Sequence, residues 1–283
     1  MAIQPERLLN HRFAEIEHRY ERRDAILYAL GLGLGADPCN RGDLRYLFET
    51  DLVVLPTFAV TLASPGMWIA APEFGVDFVK LVHAEQAARF HIPLPPAAEV
   101  VGRAKVIALH DRGPGRGAVL VLERSISSPT GVLYCTLQQT LLLRGDGGYD
   151  GAAPPATPSL IPDRPADADV TVQVSPRAAL IYRLSGDRNP LHVDPDAARR
   201  AGFDRPILHG LASYGMAAIA AADASGRTPV EVTALQCRFS GVVFPGDLLA
   251  FKIWKGEGKA LFQAFVGDRK VLDQGLVSFE GEG

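Results

Sequence analysis

The 283-residue chain is poor in cysteine, with only Cys39, Cys135 and Cys237. An odd count without a Cys-x-x-Cys pair argues against a disulfide framework or a thiolate zinc site, and fits a reducing compartment. Long apolar runs are also missing. The longest uncharged one, Ile207 to Ala222, falls short of the ~20 residues that span a bilayer and contains His209, so it reads as a buried helix. Neither sign of charge dominates: 29 Lys and Arg stand against 32 Asp and Glu, a net −3. The basic residues are scattered and leave no footprint for a phosphate backbone, so nucleic acid is not expected as a partner. Met1 to Asn10 carries charges and a proline where a secretory signal needs an apolar stretch, and Phe279 to Gly283 does not spell the peroxisomal Ser-Lys-Leu address. The expected location is cytoplasmic. With 47% hydrophobic and 22% charged residues, the composition is that of a folded globular protein.

Between Gly145 and Asp169 the sequence turns to glycine and proline without apolar periodicity, which marks an extended linker. The expected organisation is a first domain at 1–148, a linker at 149–169 and a second domain at 170–283. The two sides repeat one another at an offset of roughly 150 residues, the sign of an internal duplication. Ala25 to Gly31 answers Ala179 to Ser185, Leu55-Pro56-Thr57-Phe58 answers Leu208-His209-Gly210-Leu211, and Phe90 to Pro95 resembles Phe239 to Pro245. In the second half, Ser175-Pro176 opens a helix that Ser185-Gly186 stops, Asp194-Pro195 opens another that closes at Ala201-Gly202, and a third runs from Gly210 to about Ala222. Strand-like runs follow at Val230–Phe239, Leu248–Trp254, Ala260–Val266 and Val271–Phe279. One buried helix followed by antiparallel strands suggests a sheet wrapped round a helix.

The densest polar cluster is Tyr182 to His192. Asp187, Asn189 and His192 lie within six residues of loop, where Gly186 frees the backbone and Pro190 restricts it. A carboxylate and an imidazole sharing one water can act as general base and general acid, and Asn189 can hold the same water. The same residue types also build plain turns, with His192 as a cap. Pro206 to Leu211 then leads into the apolar helix, which places the Gly210 N–H at a helix N-terminus where a thioester oxygen can approach closely. Close helix packing is the other use of such a glycine.

Together, Tyr182 to His192 and Pro206 to Leu211 resemble the hydratase-2 motif of the MaoC-like (R)-specific enoyl-CoA hydratases. Asp24 to Gly31 and Leu81 to Gln86 are similar to the two-domain members, including the hydratase part of peroxisomal multifunctional enzyme type 2. The resemblance covers nearly the whole chain. It implies an α+β double hot-dog fold, each half a curved antiparallel sheet round a long central helix. It also implies reversible hydration of a trans-2-enoyl-CoA to a (3R)-hydroxyacyl-CoA. Asp187 and His192 are then the catalytic pair, Asn189 a water or dyad partner, and Gly210 the amide that polarises the thioester, with His209 and Leu211 beside it on the substrate side. No redox cofactor or metal is implied, coenzyme A being part of the substrate, and a homodimer is expected by family analogy. At the duplicated positions the first half has Gly33 for the aspartate, Pro38 for the histidine and Thr57 for the glycine. It is expected to be catalytically silent and to make room for the acyl chain.

Other motifs fail on context. Gly31 to Ala36 fits a dinucleotide fingerprint, but Pro38 would interrupt the required helix and no parallel βαβ pattern follows. His83-Ala84-Glu85 lacks the Pro-Cys-x-x-Cys of a zinc deaminase, so His83 reads as a domain-contact or strand-edge histidine. Gly113 to Gly117 reads as a hairpin turn, and His11, His18 and Arg22-Arg23 as a solvated face. Lys80, Arg188 and Arg205 are too scattered to choose among for coenzyme A phosphates. A hot-dog thioesterase and a non-catalytic acyl-CoA binder are the rival functions, marked respectively by free thiol release and by binding without turnover.

Overall fold

The computed structural model describes residues 3–279. Its first half runs through helix α1 (Pro5–Leu9), strand β1 (Ile16–Tyr20) and helices α2 (Arg22–Gly31) and α3 (Arg41–Leu44), then through 3-10 turns to β2 (Leu81–Phe90), β3 (Ala98–Asp111), β4 (Ala118–Ser127) and β5 (Leu133–Leu143). The second half repeats the order with β6 (Ala168–Gln173), α4 (Ala178–Tyr182), α5 (Pro195–Arg200), α6 (Gly210–Ala224), β7 (Ala234–Phe239), β8 (Leu248–Gly256), β9 (Lys259–Val266) and β10 (Arg269–Ser278).

The ten strands form one sheet in the order β1-β3-β4-β5-β2-β7-β10-β9-β8-β6, and every neighbouring pair is antiparallel. Each half contributes the same arrangement, mirrored about the β2–β7 seam. There Glu85 lies opposite Arg238, and their side chains pair at 2.7 Å. These two positions are duplicates of each other at the offset that relates Leu55 to Leu208, so the pseudo-twofold axis passes through this pair.

Small side chains let the sheet close round α6. Ten of its 15 residues are buried, and a Cβ at Gly215 would lie 2.7 Å from the Leu32 side chain and 2.9 Å from the Tyr28 hydroxyl. Helix and sheet pack closely only because these positions are Gly and Ala. The expected long helix is realised in the second half only. In the first, a six-residue 3-10 turn, Pro56–Thr61, takes its place. Ala63 and Gly66 then take positive φ, and Pro65 disfavours helical Ser64. Gly102 of β3 sits against this bend, where a Cβ would come within 2.6 Å of the Ala63 Cβ.

Residues 149–167 contain no helix or strand. They are nevertheless tied to the second half: Trp254 Nε1 donates to the Arg164 carbonyl at 2.9 Å, and the Leu160 N–H donates to Gln274 Oε1 at 2.7 Å. The run expected as a strand from Val230 begins instead with a 3-10 turn, Pro229–Glu231, because Thr228 and Glu231 form a capping box. Two histidines expected on a solvated face are engaged. His11 stacks on Trp68 with centroids 5.2 Å apart and meets Phe13 and Phe74 edge-on, while His18 Nδ1 accepts the Ala63 N–H at 3.1 Å. Both residues adjoin apolar surface that a charged-looking sequence does not display. Gly113 to Gly117 forms the β3–β4 turn, closed by Arg116 N–H to the Gly113 carbonyl at 3.1 Å. Among the described residues, no helix is long and apolar enough to cross a membrane.

Candidate active site

α4 runs into a 3-10 turn, Arg183–Ser185, after which Gly186 reverses the chain at φ +121°, a conformation that side chains disfavour. This delivers Asp187 at the surface. Asp187 Oδ1 accepts the Asn189 N–H at 3.1 Å. Asn189 Oδ1 in turn accepts the Leu191 N–H at 3.0 Å and caps the 3-10 turn Pro190–His192. The turn points His192 inward, 8% exposed.

His192 Nδ1 lies 2.9 Å from the Ile207 carbonyl oxygen. A carbonyl only accepts, so Nδ1 carries the proton and Nε2 presents its lone pair. Nε2 is 4.0 Å from Asp187 Oδ2, too far for a direct bond and suited to one water between them. Burial lowers the His192 pKa, outweighing the Ile207 bond and the Asp187 charge that pull it up. The imidazole is therefore neutral, and basic, near pH 7.

His209 stacks on His192 with centroids 3.7 Å apart and planes 26° off parallel. Its Nε2–H donates to the Asp187 backbone carbonyl at 3.1 Å. Burial and then the neighbouring His192 lower its pKa to about 4. His209, expected on the substrate side, is 2% exposed, and its bond to the Asp187 carbonyl clamps the loop. One ligand-capable atom from each of Asp187, His192 and His209 falls within 4.8 Å of the others. Each imidazole already uses one nitrogen on a carbonyl, which leaves one nitrogen per ring.

Gly210 opens α6, so its N–H has no acceptor within the helix and lies at the positive end of the dipole. A Cβ here would stand 3.2 Å from two ring carbons of Phe239. Both uses of this glycine, close approach and close packing, are therefore compatible with its position. Phe239 packs edge-on against His83 of the first half, centroids 5.0 Å apart. His83 Nε2 lies 3.1 Å from the Glu85 carbonyl oxygen. Burial lowers the His83 pKa to about 4 although Glu85 and the Asp187 charge pull it up. The reading of His83 as a histidine at the domain contact fits this place. Its proximity to Asp187 is new, and only the duplication, which sets β2 beside β7, hinted at it.

Leu211 lines a small cavity facing first-half residues. Of the basic residues weighed for phosphates, Lys80 pairs with Asp77 at 2.9 Å, Arg205 lies over Phe244 and 3.5 Å from Asp247, and Arg188 is exposed beside Asp187. At the duplicated site Thr57 is 2% exposed, and Gly33 occupies a positive-φ turn. Cys135 and Cys237 are buried, and burial raises both thiol pKa values, so neither is a ready nucleophile.

Two like halves in one sheet, with Asp187 and His192 close to the N-terminus of the long helix α6, have the arrangement of a double hot-dog protein. Residues 18–145 match the MFE-2 hydratase 2 N-terminal domain and residues 158–274 the MaoC like domain. The chain is 35% identical, over 94% of its length and 94% of the relative's, to the enoyl-CoA hydratase ChsH3 of Mycobacterium tuberculosis. It is 41% identical to the 3-hydroxyacyl-thioester dehydratase Y of the same organism, over 91% and 92%, and 36% identical to the peroxisomal enoyl-CoA hydratase 2 of Arabidopsis thaliana, over 97% and 94%. A crystal structure of a MaoC-like dehydratase from Phytophthora capsici matches with a TM-score of 0.85 at 30% identity, covering 99% of this chain and all of that one. A further Mycobacterium tuberculosis structure, described as a double hotdog fold, shares the fold with a TM-score of 0.58 at 17% identity, over 95% and 96% of the chains. The chain belongs to the MaoC-like hydratase 2 family, in its two-domain form.

Proposed function

We propose that this protein hydrates trans-2-enoyl-CoA thioesters reversibly to (3R)-hydroxyacyl-CoA. The observation that carries the reading is the fixed tautomer of His192: its Nδ1–H is held by Ile207, and its Nε2 lone pair faces Asp187 across 4.0 Å, the span of one bridging water. That water is the nucleophile. As its oxygen bonds to C3, the Asp187–His192 pair takes one of its protons, and the C2=C3 electrons move toward the thioester. The Gly210 N–H stabilises the enolate oxygen, and a proton from the pair then goes to C2. Atoms balance with water alone and no electrons are exchanged with a second reagent, so the reaction needs no redox cofactor, and the step as proposed uses no metal. Asn189, whose Oδ1 is engaged in the cap, contributes through its amide N–H2 donors.

In this reading residues 1–148 form the silent copy that receives the acyl chain, 149–169 the linker and 170–283 the catalytic copy. The buried Thr57 in place of the donor glycine supports the first assignment. The free cysteines support a reducing location such as the cytoplasm. A homodimer is proposed by analogy with related folds, and light scattering at twice the chain mass would bear it out.

The test follows loss of enoyl absorbance on trans-2-enoyl-CoAs of several lengths, with the product coupled to (R)- or (S)-specific hydroxyacyl-CoA dehydrogenase and free thiol monitored in parallel. Signal through the (R) couple alone is expected, unaffected by a chelator. Thiol release without hydration would establish a thioesterase instead.

A further inference from the structure

Next to Leu211, and so one residue beyond the amide that meets the thioester oxygen, lies a cavity of about 60 Å³. Its first-half wall is made by Val60, Leu122 and Leu137 together with the polar Ser64, Gln86, Arg124 and Gln139. That is room for several water-sized oxygens, on the side of the first half, which receives the acyl chain under the proposed function. Four of these seven side chains are polar, and an unsubstituted hydrocarbon meeting them would strip water from all four and return no hydrogen bond.

Arg124 is the informative member. Its Nη2 donates to the Val60 carbonyl at 2.8 Å. Its Nε is sealed from solvent with no partner, and the guanidinium pairs with no carboxylate among the described residues. The neighbouring Glu123 is committed to Lys105 at 2.9 Å. A sheltered guanidinium lacking its counter-charge is costly to maintain, and its planar fork matches a carboxylate. Gln86, 4% exposed, lies on the strand of His83 and lines the same cavity as Arg124 and Leu211, the neighbour of Gly210. The cation and the reacting centre therefore lie within range of one substrate.

We propose that Arg124, with Gln86 and Ser64 on the same cavity wall, binds a carboxylate carried by the acyl chain beyond the reacting double bond, which selects carboxyl-bearing enoyl-CoA substrates over plain ones. The inference rests on the hydratase reading and specifies its substrate class. The alternative is that Arg124 only props the 3-10 turn through Val60.

The experiment measures kcat/KM for trans-2-enoyl-CoAs of six to twelve carbons, each plain, with a terminal carboxylate, and with a neutral ketone at the same end. The readout is the carboxylate-to-plain ratio. In the wild type it should peak at one chain length at roughly 10–100-fold, the worth of a charge-assisted hydrogen bond. Arg124→Met should bring it to about one. Arg124→Lys, which keeps the charge and loses the fork, should retain an intermediate ratio, and it serves as the test if Arg124→Met does not fold. A propping role alone would lower both rates together and leave the ratio unchanged, overturning the proposal. So would a wild-type ratio near one at every length, or a ketone accepted as well as the carboxylate. Failure to hydrate any substrate in the set would overturn the hydratase reading itself, and this inference with it.

Discussion

Adding one methyl group at position 210 separates the two roles of that glycine. The new Cβ of Gly210→Ala would lie 3.2 Å from Phe239 Cδ1 and Cε1 and 3.6 Å from Cγ, a few tenths of an ångström inside ordinary contact. The ring cannot retreat freely, because it packs against His83 and its backbone is paired with Leu272. Overpacking of this kind costs about 1–3 kcal/mol. The gain of alanine over glycine in a helix, at most about 1 kcal/mol, offsets part of it, so the melting temperature should fall by only a few degrees. Activity should suffer more. Losing an oxyanion donor outright costs about 10²–10³ in kcat; a donor displaced and crowded by a methyl group should cost roughly 10–100-fold. Combining Gly210→Ala with Phe239→Leu, against a Phe239→Leu control, relieves the collision, so stability should return while kcat stays low in the hydration assay. Full activity of Gly210→Ala at an unchanged melting temperature would refute the reasoning, as would recovery of kcat in the double variant.

The buried histidines make stability depend on pH. His83 and His209 titrate near 4 in the folded protein against about 6.5 unfolded, so between those values the unfolded chain binds more protons. Their contribution is complete above pH 6.5 and is lost as pH falls toward 4; urea titrations at pH 7.5, 6 and 5 should show stability declining in that order, and a flat series would contradict the assignment. kcat/KM should fall on the acid side with an apparent pKa below 6.5, since His192 must stay neutral to act as a base. His209→Ala removes the clamp on the Asp187 carbonyl and should lower kcat about 10-fold with little change in KM, His209→Gln restoring part of it; a change confined to KM would place His209 on the substrate after all. Gly186→Ala, at φ +121°, should cost about 1–2 kcal/mol in denaturant midpoint measurements, and an unchanged midpoint would remove the conformational argument for that glycine.

Much of this architecture was legible because local chemistry agreed with the fold. Asp194 accepts the Asp196 N–H as the N-cap of α5, Gly202 ends it in the left-handed region, and the Ala-rich run from Gly210 could only be a helix buried on most sides. The candidate loop from Asp187 to His192 was legible for the same reason, its members lying close together in sequence. What sequence did not display depends on contacts across the duplication. The missing first-half helix follows from Ser64-Pro65-Gly66 folding against Gly102 of β3, some 40 residues away in the sequence. The stacking of His209 on His192 is a contact that no spacing rule encodes. The placement of His83 against Phe239 and of Arg124 on one cavity with Leu211 depends on contacts between the halves, and Arg124 belongs to no motif.

The most direct test of the central claim is turnover of Asp187→Asn in the stereochemically coupled hydration assay. Asparagine keeps an oxygen to accept the Asn189 N–H now bonded to Asp187 Oδ1, so folding should persist. The shared water, however, loses its anionic neighbour 4.0 Å from His192 Nε2. The account predicts a fall in kcat of roughly 10²–10⁴-fold, with melting temperature and substrate affinity near wild type. Unchanged (R)-specific turnover in that variant would contradict it.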